Sequence, residues 1–220
     1  EVIRAVREAV GEGFPILIRF DAREFRVEGG IELEDSLVTA RLAEQAGADA
    51  LDVSAYGNTA KGIAFTEAPL VHQPGGFIPF AHAMKRQVSI PIIAVGRIEL
   101  DAAEKGLAAN AFDFVAMGRK LLADPELPNK IATGRPETIR PCIYCYVCVS
   151  KIFVNDAMSC AVNPACGREQ ELNVIHSTAD QKRVLVIGGG PGGLEAARVL
   201  AERGFDVSLW EREKDVGGTA

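Results

Sequence analysis

The stretch PIIAVGRIELDAAEKGLAANAFDFVAMGRKLLAD, residues 91–124, contains two successive strand-then-helix units. Two short apolar runs, PIIAVG and FDFVAMG, each end on the glycine of a glycine–arginine pair. A segment with helical spacing follows each run. Strands that alternate with helices form parallel sheets, because a helical crossover returns the chain to the same edge of the sheet. The stretch therefore predicts an α/β fold with a parallel sheet covered by helices.

Two more strand signals precede this stretch. FPILIRF (14–20) and DALDVS (49–54) are apolar runs, and helical patterns follow them at 36–48 and 75–87. Four such units make half of a TIM (β/α)8 barrel, or most of an open sheet. We predict that residues 1–134 form the C-terminal half of a barrel, with these strands as numbers 5 to 8.

The two glycine–arginine pairs are Gly96–Arg97 and Gly118–Arg119, in the similar contexts AVGRI and AMGRK. In a (β/α)8 barrel, a phosphate site commonly forms from the loops after strands 7 and 8. Glycine allows close approach of the backbone, and arginine presents a planar charged fork to phosphate oxygens. The pattern predicts one phosphate site, and the alternative is a salt bridge at each strand end.

Arg19 ends the first predicted strand, in LIRFD. By the same count this strand is number 5, so the Arg19 side chain is expected to reach the same mouth of the barrel. The alternative is a structural ion pair with Asp21 or Glu24.

A cysteine-rich stretch, RPCIYCYVCVSKIFVNDAMSC (140–160), carries four of the five cysteines of the chain: Cys142, Cys145, Cys148 and Cys160. Disulfides are disfavoured because nothing indicates secretion. Structural zinc usually shows two separated C-x2-C pairs. Three clustered cysteines plus a distant one favour a [4Fe–4S] cluster, whose fourth ligand is either Cys160 or Cys166.

A second motif lies in KRVLVIGGGPGGLEAARVLAERGFDVSLWERE, residues 182–213. Between a strand and a helix it has the G-x-G-x-x-G glycines, Gly188, Gly190 and Gly193. Glu211 ends the next strand, where a carboxylate accepts hydrogen bonds from a ribose. The motif predicts dinucleotide binding at the helix N-terminus. The ending Glu211-x5-Gly217-Gly218 resembles the adenine-dinucleotide domain of FAD-dependent, disulfide-reductase-like flavoproteins, which favours FAD.

Composition limits the other possibilities. The 220 residues are 48% hydrophobic and 25% charged, with a net charge of −6, which argues against a nucleic-acid partner. No apolar run is long enough for a membrane span and no signal peptide is recognised, so we expect no membrane partner and a cytoplasmic protein. A homo-oligomer is compatible with the sequence.

The predicted organisation has three parts. They are a half barrel (1–134), an iron–sulfur segment with a linker (135–181), and the start of a Rossmann-like FAD/NAD(P)-binding domain (182–220). Because Glu1 begins inside a helical pattern and DVGGTA ends inside a motif, we expect the sequence to be part of a longer protein.

This order of parts, together with DFVAMGRKLLADPELPNKI, RPCIYC and CAVNP, resembles the old-yellow-enzyme family. More narrowly, it is similar to the iron–sulfur members of that family: 2,4-dienoyl-CoA reductase, enoate reductases and trimethylamine dehydrogenase. The resemblance implies an FMN whose phosphate is held by Gly96, Arg97, Gly118 and Arg119, with Arg19 beside the flavin pyrimidine edge. It also implies Cys142, Cys145, Cys148 and Cys160 as cluster ligands, with Cys166 as the spare cysteine.

The implied activity is an oxidoreductase. NAD(P)H would reduce FAD, the [4Fe–4S] cluster would pass single electrons to FMN, and FMN would reduce an activated C=C bond of a small unsaturated substrate. One alternative is an amine dehydrogenase of the trimethylamine dehydrogenase type, since the short spacing of two residues between the second and third cysteines of this chain is closer to that enzyme than to the dienoyl-CoA reductases, which usually have three. A third hypothesis, from another class, is a non-catalytic scaffold clamped by zinc.

The catalytic residues stay unassigned. The loop at 54–62 has Tyr56 but lacks the histidine of the dienoyl-CoA reductases, and His72 is interpreted as an ordinary loop residue. The usual tyrosine proton donor of the family is expected upstream of Glu1.

Overall fold

The structure is a computed structural model that divides into two compact units, residues 1–163 and 164–220. The residues that it describes are 1–57, 73–172 and 182–218. The division between the units falls inside the segment predicted at 135–181. The four clustered cysteines therefore lie in the first unit.

The first unit is built around one parallel sheet. Its elements are α1 (Val2–Val10), β1 (Leu17–Phe25), α2 (Leu33–Gln45), β2 (Ala50–Gly57), α3 (Ile78–Lys85), β3 (Ile92–Ala94), α4 (Leu100–Ala108), β4 (Phe114–Val115), α5 (Arg119–Ala123), α6 (Leu127–Ala132), a 3-10 turn (Pro136–Thr138) and α7 (Val147–Phe153). The strands pair in the order β1-β2-β3-β4, all parallel. The predicted α/β fold with a parallel sheet is confirmed.

Strand β1 is longer than the sequence pattern predicted, because it continues to Phe25 rather than ending at residue 20. Its register against β2 shifts between Asp21 and Glu24, which marks a bulge or similar irregularity. After the shift, residues 24–25 still pair with the end of β2. Arg19 consequently lies inside the strand rather than at its end.

The core of the first unit lies between the sheet and helices α2, α3 and α4. Its largest fully buried hydrophobic side chains are Leu51, Val53, Met84, Ile92 and Phe112. Strand β2 is buried along most of its length, as expected for a central strand covered on both faces. Buried alanines on the helices allow them to pack closely on the sheet. The core therefore holds the carboxyl ends of β2 and β3 in a fixed register.

The second unit contains β5 (Arg183–Ile187), α8 (Pro191–Glu202) and β6 (Asp206–Trp210), with β5 and β6 parallel. The glycine loop connects β5 to α8, which is the strand–loop–helix context that the fingerprint requires. In the part of the chain that the structure describes, no helix combines the length and apolar character needed to cross a membrane.

Candidate functional site

A cavity opens at the carboxyl ends of β3 and β4. We call it the arginine cavity, and its lining includes Arg19, Gly96, Arg97, Gly118, Arg119, Lys120, Tyr144, Val149 and Ile152. All five barrel residues selected from the sequence therefore meet in one place. The two glycine–arginine pairs converge because β3 and β4 are neighbouring parallel strands that end at the same edge of the sheet. Arg19 reaches the same level from within β1, because it is in register with Asp52 of β2 and, through Asp52, with Ile93 of β3.

The backbone at the first glycine–arginine pair requires glycine. Gly96 has a φ of +102°, and a Cβ atom at this position would lie 2.5 Å from Cδ2 of the Phe77 ring. At the second pair, a Cβ atom on Gly118 would meet nothing within 4 Å. One glycine is thus imposed by packing, whereas the other leaves room for a ligand to approach the backbone.

Arg19 is oriented by Asp52, its direct neighbour in the register of β1 and β2. The Arg19 Nε and Nη2 atoms donate to Asp52 Oδ2 at 2.8 and 2.5 Å. The other carboxylate oxygen, Oδ1, is buried and has no hydrogen-bond partner among the described residues. Sequence reasoning considered Asp21 and Glu24 as partners and missed Asp52. The register of two strands, which the sequence does not display, was the missing information.

The ring of Tyr144 forms part of the wall of the arginine cavity, and three cationic side chains lie close to it. The guanidinium carbon of Arg97 lies 4.6 Å from the ring centroid, that of Arg119 lies at 5.1 Å, and Lys120 Nζ lies at 5.6 Å. The Tyr144 hydroxyl donates to Glu99 Oε1 at 2.9 Å, and Glu99 also pairs with Lys120. This tyrosine, between two cysteines in the sequence, was not recognised as a site residue.

The ionisable groups around Tyr144 hold one another charged. Burial alone would raise the pKa of Glu99, but hydrogen bonds from Lys120 and Tyr144 outweigh it and lower that pKa. Burial opposes the charge on Lys120 too, yet the bond to Glu99 raises its pKa. Burial raises the pKa of the Tyr144 phenol. The result is a fixed cationic lining with a neutral tyrosine beneath it.

A second, smaller cavity adjoins Tyr144. We call it the cysteine cavity, and its lining includes Cys142, Cys145, Cys148 and Cys160 together with Arg119, Tyr144 and Tyr146. None of these four thiols is in a disulfide. Cys166 belongs to the second compact unit. Four thiols that share one cavity suit a polynuclear cluster with one thiolate at each corner.

The backbone of the cysteine cavity is unusual. Tyr144 and Tyr146, on either side of Cys145, have φ angles of 52° and 64°, which a bulky residue rarely adopts. The Tyr144 N–H donates to Cys142 Sγ at 3.4 Å. Burial raises the pKa of the Cys142 thiol, and the neighbouring Cys148 and Cys160 add to this while Arg119 opposes it.

No group of three or more histidine, cysteine, aspartate or glutamate side chains within residues 1–57, 73–172 and 182–218 is placed to hold a single metal ion. Residues 58–62 of the loop predicted at 54–62, and His72, lie outside the described residues.

Both ends of the cysteine-rich stretch are tied to the region of α5 and α6. The buried Asp124 carboxylate accepts from Lys130 Nζ at 2.6 Å and from the Arg140 backbone N–H at 2.8 Å. Asn163 donates to the Leu122 carbonyl at 2.9 Å, and its Oδ1 accepts from Arg140 Nη1 at 3.2 Å. These bonds hold the chain at residue 140, where the cysteine-rich stretch begins, and at residue 163, three residues beyond its end.

Replacing Asp124 by asparagine is expected to destabilise the first unit by about 3 kcal/mol, because Lys130 loses its buried counter-charge. Burial would raise the pKa of Asp124, but the bonds from Lys130 and Arg140 lower it. Its stabilisation is therefore complete above the unfolded pKa of about 4 and is lost as the pH falls through the lower folded pKa.

The measurement for Asp124 is thermal unfolding between about pH 7 and pH 3. The difference in stability between the variant and the wild type should be largest near neutral pH and small in acid. The matched control is Asp101→Asn, which removes an exposed carboxylate 3.6 Å from Lys105 and should change little. Equal effects of the two substitutions would contradict the role of Asp124.

In the second unit, the glycine loop has the geometry that the fingerprint predicts. Gly188 has a φ of +101°, and a Cβ atom on Gly193 would lie only 1.9 Å from the Gly188 carbonyl oxygen. A Cβ atom on Gly190 would point into open space. The close approach of α8 to β5 thus depends on Gly193, and Gly190 leaves room for a ligand.

The predicted acidic residue also lies at this loop. Glu211 Oε2 accepts from the Gly189 N–H at 2.6 Å, and backbone hydrogen bonds from Glu213, Gly189 and Arg212 lower the pKa of this carboxyl. The Gly217 N–H donates to the Gly189 carbonyl at 2.7 Å. A Cβ atom on Gly218 would lie 3.6 Å from Gly190 Cα. The residues selected from the glycine-rich motif therefore come together in the second unit.

Comparison with known proteins agrees with both units. Residues 1–138 match the NADH:flavin oxidoreductase / NADH oxidase family, and residues 186–220 match an NAD(P)-binding Rossmann-like domain. The chain is 43% identical to an NADH oxidase of Thermoanaerobacter brockii over 99% of this chain and 34% of that protein. It is 34% identical to a cinnamate reductase of Clostridium sporogenes over 99% of this chain and 35% of that protein.

The structure resembles a 2-naphthoyl-CoA reductase with a TM-score of 0.88 and 30% identity, over 99% of this chain and 33% of the other. The chain thus spans about a third of the length of these relatives. The family match covers the whole parallel sheet and both glycine–arginine pairs. The chain belongs to the NADH:flavin oxidoreductase / NADH oxidase family, which is the old-yellow-enzyme family and has TIM-barrel architecture.

Proposed function

We propose that the natural protein containing this chain reduces an activated C=C bond with electrons from NAD(P)H. One hydride and one proton add across the double bond, and NAD(P)H is oxidised to NAD(P)+. The observation that supports this most is that the arginine cavity and the cysteine cavity share a wall. The names of the relatives, a cinnamate reductase and a 2-naphthoyl-CoA reductase, favour substrates whose unsaturation is conjugated to a carboxyl or thioester group.

The residues of the arginine cavity fit an FMN phosphate. Arg97 and Arg119 supply two guanidinium groups, and open space at Gly118 allows a ligand to approach the backbone. Arg19 lies in the same cavity with its orientation set by Asp52. We assign the phosphate to the glycine–arginine pairs and the flavin ring to the side of Arg19, where a cation stabilises added negative charge.

The cysteine cavity fits a [4Fe–4S] cluster held by Cys142, Cys145, Cys148 and Cys160. The glycine loop fits FAD, with Gly190 and Gly218 near the pyrophosphate, Gly188 forming the tight turn, Gly193 packing α8 against β5, and Glu211 at the ribose. When bound, these groups supply hydride and single-electron transfer between NAD(P)H and the substrate. The contribution of the chain is to hold each group, orient Arg19 and surround the phosphate with positive charge.

The test uses the full-length natural protein, purified without oxygen. NADH or NADPH should bleach the flavin absorbance, and adding cinnamate or its CoA thioester should restore it with formation of the saturated product. Bleaching by a secondary or tertiary amine, with no response to NADH or NADPH, would instead identify an amine dehydrogenase. A colourless protein containing zinc would contradict both activities and leave the scaffold hypothesis.

Replacing Arg19 by alanine is expected to slow reduction of FMN by about 10- to 100-fold, because a cation beside the reduced flavin is lost. Iron content should not change, since Arg19 does not line the cysteine cavity. Stopped-flow absorbance during anaerobic reduction measures the rate. The control Arg23→Ala removes another arginine of β1, one that pairs with Glu32. Equal rates in the wild type and the Arg19 variant would exclude the proposed role.

A further inference from the structure

Two residues line both the arginine cavity and the cysteine cavity. Arg119 and Tyr144 belong to the wall of the arginine cavity and to the wall of the cysteine cavity. A change in the position of either residue must therefore alter both cavities. This shared wall is a physical basis for energetic coupling between a ligand in one cavity and a ligand in the other.

The cations of the arginine cavity rest on aromatic rings that the cysteine-rich stretch contributes. Arg97 and Arg119 lie over the Tyr144 ring at 4.6 and 5.1 Å, and Arg119 also lies 5.0 Å from the Tyr146 ring centroid. A cation is attracted to the face of an aromatic ring at these distances. The rings thus restrict where the two guanidinium groups can lie, and so where they can meet a phosphate.

The position of the Tyr144 ring depends in turn on the cysteines. Tyr144 has a φ of 52°, and its N–H donates to Cys142 Sγ at 3.4 Å. A bulky residue keeps such a conformation only when its surroundings impose it. A cluster that fixes Cys142 and Cys145 would hold the intervening backbone, and with it the ring, in this position.

We infer that Tyr144 is a positioning residue that couples the cysteine cavity to phosphate recognition in the arginine cavity. An occupied cysteine cavity raises the affinity of the arginine cavity for the phosphate of FMN. By linkage, phosphate binding raises the affinity of the cysteine cavity for its cluster by the same factor. The inference rests on the proposed function, because it takes FMN and an iron–sulfur cluster as the two ligands. It adds a specific role for a residue that is neither one of the four cysteines nor a member of a glycine–arginine pair.

The test compares dissociation constants of FMN and riboflavin, which differ only by the phosphate. In full-length natural protein stripped of flavin, Tyr144→Leu should weaken FMN binding about tenfold, because support for two guanidinium groups is lost. Riboflavin affinity should stay unchanged. Tyr144→Phe keeps the ring and removes only the hydroxyl, which donates to Glu99, so its FMN affinity should stay close to that of the wild type.

The control is Phe153→Leu, a substitution of an exposed aromatic residue in α7 that lines neither cavity. A second measurement needs no variant, so it stands even if Tyr144→Leu fails to fold. Removing iron from the wild-type protein by chelation should weaken FMN binding and spare riboflavin binding, and rebuilding the cluster should reverse the change.

The outcomes separate the inference from the proposed function. Equal loss of FMN and riboflavin affinity in Tyr144→Leu would indicate general damage and overturn the inference. Wild-type FMN affinity that does not respond to iron removal would overturn it too, while leaving FMN binding intact. A wild-type protein that binds no FMN and contains no iron would overturn the proposed function itself.

Discussion

Cys148→Ala is expected to lower iron and acid-labile sulfide from about four of each per chain to nearly none. Cys148 is buried in the first turn of α7 and lines the cysteine cavity with Cys142, Cys145 and Cys160. A cubane cluster with three remaining thiolates loses one corner and becomes open to oxygen and chelators. Cofactor loss is therefore expected to be nearly complete rather than graded.

The matched control for this prediction is Cys166→Ala, which removes another buried cysteine that lies in the second compact unit. It should keep its iron and sulfide. The measurement is metal and sulfide analysis of full-length natural protein purified without oxygen. Loss of iron in Cys166→Ala, with iron retained in Cys160→Ala, would mean that Cys166 rather than Cys160 is the fourth cluster ligand. About one zinc and no sulfide in the wild type would mean that the cysteines form a structural clamp.

Gly193→Ala is expected to abolish dinucleotide binding and to destabilise the second unit. The added Cβ atom would lie 1.9 Å from the Gly188 carbonyl oxygen, so strand and helix would have to move apart. The Cβ atom added by Gly190→Ala would enter open space, where it would block the approach of a pyrophosphate without disturbing the fold. Gly192→Ala is the control. Its added Cβ atom would also meet nothing within 4 Å, and the position lies in helix α8, where alanine is favourable.

These three alanine variants separate stability from binding. The unfolding temperature of the second unit should fall clearly only in Gly193→Ala. The FAD content should fall in both Gly193→Ala and Gly190→Ala. Gly192→Ala should match the wild type in both measurements, while iron and FMN should be retained throughout. Normal FAD content in Gly193→Ala would contradict the close packing of α8 on β5, and normal FAD content in Gly190→Ala would place the pyrophosphate elsewhere.

Local sequence patterns predicted the elements well because each depends on residues near one another in the chain. Short apolar runs followed by helical spacing located β1 to β4 in the correct order. The largest error in the strand bounds was the end of β1, since an irregular register hides the alternation that marks a strand. The extra pairing appears only when β2 lies alongside.

The candidate site shows the same division. The glycine–arginine pairs and the cysteines could be selected because their spacing itself carries chemical information. Asp52, Glu99 and Tyr144 have no such spacing. Asp52 meets Arg19 across 33 positions of the chain, and Tyr144 meets Glu99 across 45.

Short-range periodicity and spacing are enough to predict the α/β class, the glycine loop after β5 and the cysteine-rich stretch. The folded chain was needed to see that Asp52 orients Arg19, that Asp124 anchors the start of the cysteine-rich stretch, and that Tyr144 and Arg119 form a wall common to two cavities. These contacts depend on strand register and on which loops meet at one edge of the sheet. That information arises when distant segments pack together, and no local pattern contains it.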